Sequence, residues 1–480
     1  MEDQLKRLIS HYRKALYIKP DNLAVYNQIA ELHYEQGELE KALEVCQEAL
    51  QVQPDLALTP QILPKMLQNL GFEGEEVATC QKLLRAELDI TAFFQALWNM
   101  LSSPEYAKSN STKTWKDAVA LGFTLSRKKC WDEAIVAYIK AIKIEPALSL
   151  SHFALYQLSY CTSLQPNQLD KIIDFYHQTI QERLVPPFAY VVLGDMLTKR
   201  GKIAEAIASY RNAIYKDTDL TAKLPQGYRN LNHKASTVNF LIIGVGKSGT
   251  SALYYYMCQH PQIIPSVQKE LHFFNLNFEL GLDWYLAHFP SLPQEGGFLT
   301  GEATPWYLNS NGVEEKVFQL FPNIKLIVVL RNPVDRAISH YYMSLKFTEN
   351  RSLEEAITSE MAILRGLANP TQVTERYWQT EKGYLWFGLY IYFIEKWMAL
   401  FPKKQFLFLQ SEKLYNQTAD TLNQVFEFLE IPDYLLSDYP KYNSGYYPNV
   451  SRELHQKISD FFRPHNQRLE DYLGIKLTCK

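Results

Sequence analysis

The chain has 480 residues, of which 47% are hydrophobic and 21% charged, and its formal net charge is −3. This balance is typical of a globular protein with several domains, and it lacks the basic excess of a general nucleic-acid binder. The six cysteines contain no C-x-x-C pair, which disfavours a zinc site or a disulfide framework and suits a reducing compartment. The N-terminus resembles a charged amphipathic helix, not a signal peptide, and no apolar run reaches the ~18 residues of a membrane span. We therefore expect a cytoplasmic protein without a membrane span.

A helical repeat is indicated in the N-terminal half. Ala15 and Pro20 recur 34 residues later as Ala49 and Pro54. This period is that of tetratricopeptide repeats, in which each unit is a pair of antiparallel helices. The pattern therefore predicts a stack of helical hairpins.

A second pattern also recurs along the N-terminal half. It consists of a glycine that ends one helix and, five residues later, an alanine where two helices approach closely. Gly37 and Ala42 form one such pair, and Gly201 and Ala206 form another. A third copy covers residues 131–146 and has Lys129 where the glycine is expected. Together these stretches resemble the tetratricopeptide-repeat family.

The repeats define the predicted domain organisation. Residues 1–220 are predicted to form an all-α tetratricopeptide solenoid, with an interruption over residues 57–115 left open. Residues 221–237 are polar and contain proline and glycine, so they are predicted to be a linker. Residues 238–480 form the second domain. The family resemblance implies that the concave surface of the solenoid docks a peptide or protein partner, and the alternative is a solenoid that only shields its neighbour.

The second domain begins with a strand and a glycine loop. Residues 239–244 form an apolar run that is typical of a buried parallel strand. Gly246 and Gly249 allow the backbone to turn with its N–H groups pointing inward, and Thr250 and Ser251 can begin a helix. Such a loop at a helix N-terminus binds anions, and Lys247 adds a positive charge. The alternative is a tight turn with an incidental lysine.

A second anion site is indicated at the end of another buried strand, residues 324–330, which is followed by Arg331. A magnesium-dependent nucleotide hydrolase has an aspartate at such a position, whereas an arginine repels a metal ion and attracts a phosphate. Ser339 lies just over two helical turns further on and is expected on the same face. Arg331 and Ser339 therefore form a second candidate phosphate clamp, with a surface ion pair as the alternative for Arg331.

A nucleotide with phosphate at both its 5′ and 3′ ends fits two clamps, and 3′-phosphoadenylyl sulfate (PAPS) is such a molecule. Residues 238 to about 474 resemble the PAPS-dependent sulfotransferase family, in particular its heparan sulfate N- and O-sulfotransferase branch. Six ordered motifs carry this resemblance: Gly246-Lys-Ser-Gly-Thr-Ser251, Lys269-Glu-Leu-His-Phe-Phe274, Gly301-Glu-Ala-Thr-Pro-Trp-Tyr307, Leu330-Arg-Asn-Pro-Val-Asp-Arg336, Lys382-Gly-Tyr-Leu-x-x-Gly-x-Tyr390 and Lys441-Tyr-Asn-Ser-Gly-Tyr-Tyr-Pro448.

The resemblance implies a fold and a set of cofactor contacts. The fold is an α/β P-loop-like three-layer domain with a central parallel sheet, and its site lies at the carboxyl ends of the strands. Arg331 and Ser339 would bind the 3′ phosphate. The 5′ phosphosulfate would be bound by Lys247, Ser248, Gly249, Thr250 and Ser251. A late loop that closes over the cofactor would contain Lys441, Asn443, Ser444 and Gly445.

The resemblance also implies catalytic roles. Glu270 matches the catalytic base of the family, and Lys247 is the candidate that neutralises charge on the leaving phosphate. In an extended segment His272 would share a face with Glu270, where it would orient the acceptor or assist the base. The alternatives are a Glu270 that only pairs with Lys269 and a histidine packed in an aromatic core. Glu302 is an alternative base, although a structural or substrate-contacting role is favoured for it. No metal is expected, because lysine and arginine supply the positive charge.

The acceptor is left open by the sequence. A saccharide, a glycolipid or a peptide would each fit, and a tyrosyl-protein sulfotransferase-like enzyme is the second enzymatic hypothesis. A non-catalytic tetratricopeptide scaffold is a third, although the candidate site residues are intact. A nucleotide kinase or hydrolase is disfavoured because Leu241 stands where the G-x-x-x-x-G-K-[ST] motif requires glycine.

Overall fold

The computed structural model describes most of the chain from residue 129 onward and separate pieces before it. The described residues are 9, 12–13, 16, 23–35, 41, 45, 115, 118–119, 122, 125–126, 129–225, 237–293, 295–344, 349–367, 369, 372–373, 375–440 and 450–476. They fall into two compact units, one ending at Val185 and the other beginning at Pro186. The predicted closing loop at 441–445 lies outside the described residues, as does nearly all of the predicted interruption at 57–115. No helix in the described part of the chain is long and apolar enough to cross a membrane.

The first unit is helical. Its helices are α1 (Leu23–Glu35), α2 (Trp131–Ile144), α3 (Ser149–Cys161) and α4 (Pro166–Glu182). The buried face of α2 includes Ile135, Tyr138 and Ile142, which have the spacing of an amphipathic helix. A side chain at Gly122 would meet the ring of Tyr138 at 2.5 Å. Glycine at this position therefore allows the Gly122 segment and α2 to pack closely.

The second unit begins with a helical hairpin, α5 (Pro187–Lys199) and α6 (Ile203–Lys216), which is followed by the short helix α7 (Thr218–Ala222). As in the first unit, a glycine packs against a tyrosine ring. A side chain at Gly194 would lie 2.4 Å from the ring of Tyr210. Lys129 and Gly201, the two predicted turn positions, both have positive φ angles, 59° and 80°. The lysine thus adopts the left-handed conformation that its glycine counterpart adopts without steric cost.

A five-stranded parallel sheet forms the centre of the second unit. Its strands are β1 (Phe240–Gly244), β2 (Ile263–Pro265), β3 (Leu299–Ala303), β4 (Lys325–Leu330) and β5 (Phe406–Gln410). Their order is β2-β3-β1-β4-β5, and each neighbouring pair is parallel. The chain therefore lays β2 and β3 on one side of β1, and β4 and β5 on the other. The carboxyl end of β1 lies at the point where the strand order changes direction, which is where α/β sheets bind ligands.

Helices and helical turns complete the second unit. The helices are α8 (Thr250–Met257), α9 (Leu282–Leu286), α10 (Val313–Leu320), α11 (Pro333–Ser344), α12 (Leu353–Arg365), α13 (Glu375–Thr380), α14 (Tyr390–Leu400), α15 (Ser411–Asn416), α16 (Thr418–Leu429) and α17 (Arg452–Leu473). The turns are a π-helical turn at Phe273–Asn277 and 3₁₀ turns at Phe278–Leu280, Trp386–Gly388 and Lys403–Gln405. An apolar core that includes Ile242, Met257 and Phe426 joins the sheet to α8 and α16. The predicted fold class, helical repeats followed by an α/β domain with a central parallel sheet, is confirmed.

The hairpin α5–α6 packs directly against segments of the sheet domain. Trp284 of α9 donates its indole N–H to the hydroxyl of Thr198 at 2.9 Å. The rings of Tyr210 and His288 lie 3.9 Å apart, and Gln268 donates to Asp195 at 3.4 Å. This compact unit therefore starts at Pro186 and includes residues that the sequence analysis assigned to the solenoid.

Asp195 makes this contact sensitive to pH. Burial raises the pKa of Asp195 to about 6, above the ordinary value of 3.8, so the folded state holds this proton more tightly than the unfolded state. The free energy of unfolding should therefore fall as the pH rises from about 4 to about 6. In Asp195→Asn this decrease should be smaller by about 1–2 kcal/mol. Urea unfolding at several pH values measures the free energy of unfolding of both proteins. The exposed Asp219→Asn is the control, and equal pH slopes for wild type and Asp195→Asn would contradict the prediction.

Candidate active site

The loop between β1 and α8 has the geometry of an anion-binding loop. Lys247 and Gly249 have φ angles of 73° and 90°, and α8 begins at Thr250. Ser248 has no exposed surface, and its hydroxyl has no hydrogen-bond partner among the residues that the structure describes. A buried hydroxyl without a partner costs about 1–3 kcal/mol. Oxygen atoms of a bound phosphate or sulfate would accept this hydrogen bond at the positive end of α8.

Arg331, which directly follows β4, contacts this loop. Its guanidinium donates to the backbone carbonyl of Lys247 at 2.8 Å, and its own carbonyl accepts from the hydroxyl of Tyr390 at 3.0 Å. The ammonium of Lys247 lies 3.4 Å from the sulfur of Met343 on α11. Ser339, on the same helix, is buried with 2% of its surface exposed. The structure thus brings Lys247 and Arg331 together, and it places Ser339 in the helix that borders them.

The segment with Glu270 and His272 is not extended, so that prediction is wrong. Both residues have positive φ angles, 62° and 52°, a conformation that costs non-glycine residues about 1–3 kcal/mol. The two side chains nevertheless approach each other, with 4.0 Å between Oε2 of Glu270 and Nε2 of His272. Glu270 also forms an ion pair with Lys269 and keeps 36% of its side chain exposed. The candidate base is therefore accessible and has two basic neighbours.

Side chains at the end of β3 hold this strained segment in place. Three consecutive backbone N–H groups, those of residues 271, 272 and 273, donate to Glu302, Thr304 and Tyr307 at 3.3, 3.4 and 2.9 Å. Such contacts determine the backbone more strongly than local preference does. They explain why Glu270 and His272, on either side of Leu271, both adopt left-handed conformations.

Glu302 is the centre of this network. The side chain is fully buried, and it accepts hydrogen bonds from Thr304 at 2.6 Å, from Tyr307 at 2.7 Å and from Tyr285 at 3.1 Å, besides the backbone of Leu271. Burial raises the pKa of Glu302, while these hydrogen bonds lower it. A carboxylate with four donors and no exposed surface is suited to position the segment and poorly suited to take a proton from an acceptor. The sequence analysis weighed Glu302 as an alternative base and favoured a structural or substrate-contacting role for it. It could not identify the hydrogen-bond donors, because they come from four separate positions in the chain.

His272 is a neutral imidazole in this setting. Burial lowers its pKa, against the opposing effect of Glu270. Its Nδ1 lies 3.3 Å from the amide nitrogen of Asn275, which fixes the ring. The site therefore presents an exposed carboxylate, an oriented imidazole and a cationic loop in the segments that follow the parallel strands β2 and β1.

Comparisons with known proteins identify the family. The profile of the sulfotransferase domain family matches residues 238–444, and that of a tetratricopeptide repeat matches residues 23–56. Heparan sulfate glucosamine 3-O-sulfotransferase 6 of Homo sapiens is 30% identical over 258 residues, which cover 49% of this chain and 71% of that protein. The membrane-associated sulfotransferase kil1 of Dictyostelium discoideum is 26% identical over 306 residues, which cover 49% of this chain and 65% of that protein. Among solved structures, a sulfotransferase from Alicyclobacillus acidocaldarius is 24% identical with a TM-score of 0.42, covering 51% of this chain and 98% of that one.

The chain belongs to the sulfotransferase family and carries tetratricopeptide repeats before its sulfotransferase domain. The family predicted from the ordered motifs is therefore confirmed. The roles of the individual site residues stay predictions, and those of Lys441, Asn443, Ser444 and Gly445 lie outside the described residues.

Replacing Glu302 tests the anchoring network. Glu302→Gln substitutes an N–H₂ group for one oxygen, so at least one of the four donors loses its acceptor. We expect the free energy of unfolding of the second unit to fall by about 1–3 kcal/mol, measured by urea unfolding followed by tryptophan fluorescence. The control is the same change at Glu279, an exposed residue nearby in the chain. Equal stability of the two variants would contradict the anchoring role.

Proposed function

We propose that this protein transfers a sulfuryl group from PAPS to a hydroxyl group of a saccharide. The observation that carries the proposal is the loop that contains Lys247 and Ser248. The buried hydroxyl of Ser248 has no hydrogen-bond partner among the described residues, and Arg331 donates to the backbone carbonyl of Lys247. The family implies PAPS as co-substrate. The saccharide acceptor is supported by relatives named as heparan sulfate glucosamine 3-O-sulfotransferases.

The residues present fit the two ends of PAPS. The loop from Lys247 to Ser251 would hold the 5′ phosphosulfate with backbone N–H groups and the hydroxyl of Ser248. Arg331 would hold the 3′ phosphate, since a guanidinium matches phosphate oxygens in geometry and charge. Ser339 would contribute a hydroxyl from α11.

The chain's own residues would perform the transfer by positioning and charge. When bound, PAPS supplies a sulfuryl group attached to a phosphate leaving group. The sulfur–oxygen bond to that phosphate breaks while the acceptor oxygen bonds to sulfur, and the acceptor proton passes to Glu270. Lys247 would stabilise the negative charge on the departing phosphate oxygen. His272 would orient the acceptor hydroxyl toward Glu270.

Nucleotide binding is the first test. We expect 3′-phosphoadenosine 5′-phosphate, the product of transfer, to bind the wild type without magnesium in a calorimetric titration. Arg331→Ala and Ser248→Ala should each weaken binding about tenfold or more, because each removes a hydrogen bond to a charged group. Ser248→Ala should not lower stability, since its hydroxyl has no described partner.

Arg463→Ala is the control for this titration, because Arg463 is exposed on α17. A well-folded wild type without affinity for the nucleotide would overturn the proposed function. Equal affinity of all four proteins would overturn the assigned loop.

The proposed base has its own test. Glu270→Gln should lower kcat by roughly 10²–10⁴ and leave the affinity for 3′-phosphoadenosine 5′-phosphate unchanged, since Glu270 is assigned to the acceptor. Transfer from radiolabelled PAPS measures kcat, and Glu279→Gln is the matched control. A Glu270→Gln enzyme with wild-type kcat would exclude Glu270 as the base.

A further inference from the structure

Two large aromatic side chains are exposed beside the candidate active site. Trp306 is 40% exposed and Trp378 is 42% exposed. Residues 301–309 are all described, and every side chain in this stretch except Trp306 is buried. A single exposed aromatic residue is common on protein surfaces, whereas several large exposed ones close together indicate a binding site.

Phe387, which is buried, packs against both indoles. Its ring lies 4.8 Å from that of Trp306 and 6.0 Å from that of Trp378. Gly383 has a φ angle of 75°, and a side chain there would meet Phe387 at 2.7 Å and Trp378 at 3.2 Å. Glycine thus allows the rings to pack together. We call Trp306, Phe387 and Trp378 the indole platform.

The indole platform borders the catalytic groups. Trp306 lies in the turn between Thr304 and Tyr307, whose side chains hold the backbone of His272 and Phe273. On its other side, His340 of α11 contacts Trp306 and Phe387, with ring centroids 6.5 and 5.6 Å apart.

Trp306 connects the platform to the segment of the proposed base. It follows β3, and β3 lies across β1 from β4 and Arg331. Phe387 packs against α11, the helix that carries Ser339, so the platform extends from the Glu270 side of the site toward that helix.

A buried carboxylate holds the platform rigid. Glu360, with no exposed surface, accepts hydrogen bonds from the hydroxyl of Tyr377 at 2.6 Å and from the backbone of Leu385 and Trp386 at 2.9 and 2.8 Å. These donors directly precede Trp378 and Phe387 in the chain. A surface held in this way does not lose conformational entropy when a ligand binds.

We propose that the indole platform binds the acceptor, and that this acceptor is a neutral saccharide of at least two sugar rings. The inference rests on the proposed function. Sugar rings have apolar C–H faces that stack on indoles, while their hydroxyl groups stay at the edge in reach of a base. Two indoles on either side of Phe387 suit two successive rings. Transfer would then occur to a hydroxyl of a sugar next to Glu270.

The charges around the platform favour a neutral acceptor over a polyanion. Arg336, whose guanidinium lies over Phe387, is 1% exposed and donates to the carbonyl of Tyr384. His340 is buried and uncharged, since burial together with Arg336 lowers its pKa well below the ordinary value. Lys382 is half-buried beside Gly383. A sulfated or carboxylated chain requires a series of exposed cations. Of the cations that the structure places near these rings, Arg336 is buried, Lys382 is half-buried, and Lys247 belongs to the proposed nucleotide loop.

The exposure of the indoles favours sugars over phenols. A phenol such as a tyrosyl side chain is a single flat ring, which aromatic sites bind best when it is enclosed. Both indoles keep about two-fifths of their surface exposed, so they form an open surface. An open surface accommodates a chain of rings that enters and leaves the site.

Binding to the full-length protein tests this inference without requiring transfer. Cellotetraose, maltotetraose and chitotetraose serve as neutral probes, heparan sulfate as a polyanion and a tyrosine-containing acidic peptide as a phenol. Each is titrated in the presence of 3′-phosphoadenosine 5′-phosphate, and tryptophan fluorescence and calorimetry report binding. The variants are Trp306→Ala, Trp378→Ala and the conservative Trp306→Phe. Tyr472→Ala removes an aromatic side chain of similar exposure on α17 and is the control.

We expect at least one neutral tetrasaccharide to bind, and each Trp→Ala change to weaken it about tenfold or more. Trp306→Phe should retain part of the affinity, and the nucleotide affinity should be the same in all variants. KM for the same saccharide should rise by a similar factor with little change in kcat. Binding of only heparan sulfate or only the peptide, no binding of any neutral probe at millimolar concentration, or binding unchanged by both Trp→Ala substitutions would each overturn the inference. Binding of only heparan sulfate, or neutral-sugar binding unchanged by both Trp→Ala substitutions, leaves the proposed function standing when nucleotide binding is intact. Binding of only the peptide removes the saccharide acceptor from both proposals, and absence of nucleotide binding in the wild type removes both entirely.

Discussion

The buried carboxylate of Glu302 is the constraint on which the candidate active site depends. It accepts four hydrogen bonds, and two of its donors, Thr304 and Tyr307, themselves accept the next backbone N–H groups of the Glu270 segment. A buried charge is stable only when its hydrogen bonds are complete, so this network favours one arrangement. The left-handed conformations of Glu270 and His272 follow from it. The position of the proposed base is thus determined by a residue that does not touch the acceptor.

A second buried carboxyl group holds another irregular segment. Oε1 of Glu360 accepts hydrogen bonds from the hydroxyl of Tyr377 and from the backbone of Leu385 and Trp386, whereas its Oε2 has no hydrogen-bond partner among the described residues. In both places a carboxylate on a regular element, a strand in one case and a helix in the other, fixes an irregular segment that carries exposed functional groups. Irregular segments can direct side chains in ways that helices and strands cannot, but they need such anchors to be rigid. The irregular segments thus direct the functional side chains, and the carboxylate anchors keep these segments rigid.

The last helical hairpin belongs to this architecture. The sulfotransferase profile begins at residue 238, whereas the compact unit begins at Pro186. Through Asp195 and Gln268, the hairpin contacts the chain two residues before Glu270, and Trp284 and His288 pack against it. The repeat therefore supports the sulfotransferase domain from within the same unit. A catalytic fragment that began at residue 238 would expose these aromatic surfaces to water.

What the sequence determined by itself is local. The strand β1, the glycine loop after it and the repeated glycine positions could be predicted, because glycine conformation, apolar runs and helical spacing depend on neighbouring residues. The family was recognisable because its motifs are short and contiguous. Only the tertiary structure decided that Glu270 and His272 are left-handed, that Glu302 anchors them, and that Trp306 and Trp378 share one surface with Phe387. Each of these depends on contacts between residues far apart in the chain, and hydrogen bonds formed across a fold leave no periodic signal in a single sequence.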